Sequence, residues 1–119
     1  MAHQQVQFEL PDIPMLTNGK RFDYNNWKWA LLFHFDWFGL RPFIEGTAVV
    51  PAENAHEEQQ VAYRRNKMMA YWILRSSIDE YVMDLIEDDG GYDHYDHSYD
   101  VKCLWDTIYE VLPHIIKWD

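Results

Sequence analysis

Chemistry-bearing side chains are densest at Asp93-His94-Tyr95-Asp96-His97, where two imidazoles and two carboxylates fall within five positions. Both groups ligate zinc and similar ions. Adjacent loop residues rarely close a metal site by themselves, and no clear ligand elsewhere in the chain completes this one. A calcium loop is excluded as well, because the glycine at its sixth position and the closing glutamate are missing. The run from Glu87 to His97 therefore reads as an acidic, solvated loop. A small metal-dependent enzyme built on His94 and His97 is the third of three functional readings. His34 has the chemistry of a buried base, but a hydrogen-bonded histidine in a core or an interface is the simpler reading. Paired carboxylates occur only in solvated runs, where nothing drives their protonation apart. The chain has no nucleophile elbow, no phosphate-cradling glycine loop and no H-E-x-x-H. Neither an enzyme, a resident metal nor a cofactor is expected.

Ten Lys and Arg face twenty Asp and Glu, a formal charge of −10 over 119 residues. Binding to phosphate backbones rests on cations that release counterions, so nucleic-acid binding by this segment is not expected. Adhesion to an anionic membrane surface is disfavoured for the same reason. Arg64, Arg65 and Lys67 read as a solvated helix face. Cys103 is the single cysteine, which leaves no internal disulfide or thiolate zinc site and suits the cytoplasm or the nucleus. Met1 to Gln7 has neither the basic start nor the apolar run of a signal peptide.

What must be positioned, then, is aromatic surface: six Trp, eight Tyr and six Phe make 17% of the chain. They concentrate in Tyr24 to Phe38, where Asn25 or Asn26 offers a helix cap and Gly39 a left-handed stop. Lys28, His34 and Asp36 fall on separate sides of that helix, leaving it no continuous wet face. Such a rod is buried in a domain or shared between a domain and a partner. Before it, residues 1–15 form an extended arm in which Val6, Phe8 and Leu10 alternate with polar residues. Leu16 to Arg21 has turn chemistry, and a domain of residues 16–119 follows.

Leu40 to Gly46 allows one short helical turn, and Pro51 is placed to seed the next helix. The second long helix begins at Glu53 or Glu57 and ends near Ser76, with Ala62, Met69, Trp72, Ile73 and Ser76 on its inner face. Ser77 and Glu80 form a capping box for a helix with Ile78, Tyr81, Val82, Leu85 and Ile86 at amphipathic spacing. Ser98 caps a last helix with Val101, Leu104, Trp105, Ile108 and Leu112 in one stripe, which Pro113 ends or bends.

The order of these pieces resembles the start of Gag polyproteins from copia-type retrotransposons. Leu16 and Gly19 precede a Tyr-x-x-Trp, Tyr24 to Trp27. An Ile-x-Gly close follows at Ile44, Glu45 and Gly46. A helix with small and apolar residues comes next, around Ala70 to Leu74, and then a Trp-x-x-Ile/Leu helix, Trp105 to Ile108. The likeness covers roughly residues 16–112. Asp23 stands where an Asn is common, and the acidic loop from Glu87 to His97 is longer than usual. That suits a diverged or domesticated copy. The resemblance implies a capsid N-terminal domain that assembles into a virus-like particle shell, with no C-x2-C-x4-H-x4-C zinc knuckle for RNA.

The resulting expectation is an all-α, compact bundle of four main helices plus one short helix. Its function is self-association as a homo-oligomer, with a domesticated adaptor that binds a short peptide in a helical groove as the alternative. Core anchors are Trp27, Leu31, Phe35, Trp72, Leu85, Trp105 and Ile108. The self-association interface is drawn from Trp29, Phe33, Trp37 and Trp118.

Overall fold

A computed structural model describes residues 12–17, 21–93 and 100–115. Five helices follow one another: α1 Arg21–Trp37, α2 Arg41–Glu45, α3 Glu57–Ser76, α4 Glu80–Asp88, and α5. The last is built from three contiguous stretches, Val101–Asp106, Thr107–Val111 and Leu112–Ile115. No strand occurs among the described residues, so the fold is all-α with α2 as its short helix. His94 and His97 of the acidic loop, the expected cap Ser98, Trp118, and residues 1–11 of the expected arm lie outside the described residues.

The helix boundaries follow from local chemistry and from packing. α1 begins at Arg21, ahead of the expected Asn25 or Asn26 cap, and both asparagines lie inside it, exposed. Packing of Tyr24 and Trp27 against the core carries the helix through their weak propensity. At its other end Gly39 takes φ 70°. The Leu40 N–H then reaches the Phe35 carbonyl at 2.7 Å and the Gly39 N–H that of Asp36 at 3.2 Å. This is a complete Schellman stop, and its paired apolar residues, Leu40 and Phe35, are both fully buried. Gly46, φ 76°, closes α2 in the same left-handed conformation.

Pro51 stays in the loop, and α3 starts at Glu57, the later of its two expected starts, with His56 before it. Two further boundaries differ from the sequence reading. Asp79, not Ser77, caps α4: its Oδ1 accepts from the N–H groups of Tyr81 and Val82 at 2.6 and 3.1 Å. Glu80 instead pairs with Arg75 at 2.9 Å. α5 does not stop at Pro113. A wide π turn over Thr107–Val111 precedes it, and the Leu112 N–H bonds to the Thr107 carbonyl five residues back. The proline ring would collide with the carbonyl four residues back in a regular helix, and widening the turn relieves that contact.

The Ser77 hydroxyl is free of capping because it is used inside. It accepts the indole N–H of Trp27 at 2.8 Å and donates to the Leu74 carbonyl at 2.8 Å. Leu16 seals the same junction, with its N–H on the Ser77 carbonyl and its carbonyl receiving the Asp79 N–H. Its side chain is buried, and Ile13 packs on the core beside it.

Around this junction lie Trp27, Leu31 and Phe35 of α1, Ile73 and Leu74 of α3, Val82 and Ile86 of α4, and Leu104 and Ile108 of α5, all fully buried. Leu85 and Trp105 are half-buried against that core. Trp72 is a correction. It is 46% exposed, set edge-on against Tyr71 at 5.3 Å, while Ala70, Tyr71, Ile73 and Leu74 make the inner face of α3. The run Met68 to Leu74 is apolar all round, so periodicity alone could not choose its inner side.

Candidate self-association surface

The spacing of α1 creates two aromatic sets. Trp27, Leu31 and Phe35 recur every four residues and point inward; Trp29, Phe33 and Trp37 recur at the same interval on the opposite side. The outer set is 67%, 63% and 75% exposed. Phe33 and Trp37 stack, with ring centroids 6.4 Å apart and planes 21° from parallel. His34 does not enter this surface as a base: its Nδ1 lies 2.7 Å from the Ala30 carbonyl, a local helix contact. Asp36 flanks the stripe and is bridged by Arg41 at 3.1 Å, which in turn reaches Glu45.

A second aromatic series runs from the core to the same side of the molecule. Trp105 stacks on buried Trp27 at 6.1 Å, and Tyr109 stacks on Trp105 at 6.2 Å. Lys28 then places its ammonium 4.8 Å from the Tyr109 ring centroid and 5.8 Å from that of Trp29, within the range of a cation–π contact. Between α1, α2 and α5 this leaves a groove of about 320 Å³ lined by Lys28, Trp29, Leu32, Ile44, Trp105 and Tyr109. Tyr109 escaped the sequence reading, and Lys28 was read only as one of the polar positions of α1. The four-residue step from Trp105 to Tyr109 was the available signal, since residues so spaced stack on a helix.

Two titratable groups nearby are held towards their protonated forms. Burial, then the neighbouring Tyr109, pushes the Tyr24 hydroxyl above its usual 10.0. Burial raises the Cys103 thiol above 9.0, and Asp100 and Asp106 push it the same way, which lowers its thiolate fraction and its reactivity. No group of three or more His, Cys, Asp or Glu among the described residues is arranged to hold a metal. None of the described helices is long and apolar enough to cross a membrane. What the surface offers is area, aromatic faces and a few charges at its edge.

The chain matches no protein-family model, no curated protein and no solved structure.

Proposed function

We propose that this chain is a self-association module, resembling the capsid N-terminal domain of a copia-type retrotransposon Gag, that builds a shell or a smaller homo-oligomer. The observation that carries the reading is the outward stripe Trp29, Phe33 and Trp37 on the central helix. Large aromatics bury about 150–250 Å² each, so at their observed exposure the three offer on the order of 400 Å². A standard interface covers about 800 Å² per partner. The stripe thus supplies roughly half of one, concentrated where binding energy usually resides. A net charge of −10 fits assembly through protein contacts and not through nucleic acid. The cytoplasm, or the nucleus, suits a chain with a lone thiol.

The groove beside Trp29 and Tyr109 favours a second reading, an adaptor that receives a short helical or extended peptide. Light scattering of the purified chain over a concentration series separates the two. Self-association predicts a mass that rises with concentration. A constant protomer mass would remove the shell reading and leave the adaptor.

A further inference from the structure

α3 presents a second outward stripe, distinct from that of α1. Val61, Arg65, Met68 and Trp72 recur at intervals of four, three and four residues and are all exposed, with Arg64 at the edge. Between Gln59 and Leu74 the helix carries Arg64, Arg65 and Lys67 and no acidic residue. None of these cations makes an ion pair among the described residues, whereas Arg41, Arg75 and Lys102 are each bound to a carboxylate. α4 is the opposite case: it holds Glu80, Asp84, Glu87 and Asp88 and no cation. Tyr81, Asp84 and Asp88 lie along its exposed face, with Leu85 half-buried among them. Neither aspartate is ion-paired among the described residues.

We infer that the α3 stripe of one copy docks antiparallel on the outer face of α4 of a second copy. This contact is separate from the α1 stripe and rests on the reading that copies associate. Charge selects the occupant. Two free arginines meet two free aspartates, whereas α3 on α3 would oppose arginine to arginine and α4 on α4 aspartate to aspartate. Spacing selects the register. Trp72 stands seven residues after Arg65, and Asp88 seven residues after Tyr81, a separation of about 10 Å on either helix. Antiparallel packing therefore places Trp72 over Tyr81 and Arg65 over Asp88 at once, with Met68 over Leu85 between them. Arg64 and Asp84 flank the pair. α4 is nine residues long and ends at Asp88, so exposed Glu57 and Glu58 at the start of α3 lie beyond it.

Two full-length variants test this, each altered only at exposed positions. One carries Arg64→Glu and Arg65→Glu; the other carries Asp84→Arg and Asp88→Arg. Circular dichroism first establishes that both remain helical. Should the α4 reversal cost helicity, Asp84→Asn with Asp88→Asn takes its place and should weaken association too. Sedimentation velocity should show each variant alone associating at least about tenfold more weakly than the parent chain, because like charges now oppose each other across the contact. A chain with all four reversals keeps the parent's net charge and restores the match with its signs exchanged, so it should regain the parent's association. If either pair of changes leaves association at the parent's level, or the fourfold chain is helical and does not regain it, the α3–α4 docking is wrong while self-association stands. A parent chain that stays at protomer mass at every concentration removes both.

Discussion

Two residues show how single groups hold this molecule together. The Trp27 indole is fully buried and its N–H has the Ser77 hydroxyl as acceptor. Ser77→Ala strands that donor in the core, which typically costs about 1–3 kcal/mol; the urea midpoint should fall accordingly with its slope unchanged. Tyr92 sets an alkaline limit. Burial, followed by the charge and hydrogen bond of Tyr71, pushes its hydroxyl well above the usual 10.0. The folded state therefore keeps the proton that the unfolded chain releases. Stability from this group is complete below pH 10 and declines as pH rises above it. Tyr92→Phe should flatten that decline in urea titrations at alkaline pH. Below pH 10 it should lower stability by about 1 kcal/mol through the lost hydrogen bond.

Among the elements, α4 depends most on its cap. It is nine residues long, too short to persist without tertiary contacts, and Asp79 satisfies two of its free N–H groups. Asp79→Ala should cost about 0.5–2 kcal/mol, read as a lower urea midpoint; Ser77→Ala acts instead through the indole. The sequence reading gave the cap to Ser77 and passed over Asp79. What overturned it was Trp27, fifty positions away, which claims the Ser77 hydroxyl. Other stops were legible directly. Gly39 and Gly46 hold positive φ, a conformation that costs glycine least. The inner side of α3 was not legible, because the apolar run Met68 to Leu74 wraps the whole helix and Trp72 went outward. The continuation of α5 past Pro113 needed a π turn, which no residue type announces.

The association of whole molecules turns on the two sides of α1. Leu31 and Phe33 lie two residues apart, yet one is fully buried and the other exposed. Trp29→Ala or Trp37→Ala should weaken concentration-dependent association while helicity by circular dichroism stays close to that of the parent. The same truncation of a buried aromatic such as Phe35 costs about 3–5 kcal/mol of stability. The sequence by itself determined the helical class, the glycine stops and the two-sided aromatic pattern of α1, because these follow from backbone conformation and residue spacing within one element. Only the tertiary structure decided which side of α3 is covered, which of two polar side chains caps α4, and that a second stripe of apolar and cationic residues faces outward. Those choices depend on neighbours distant along the chain, and local periodicity carries no record of them.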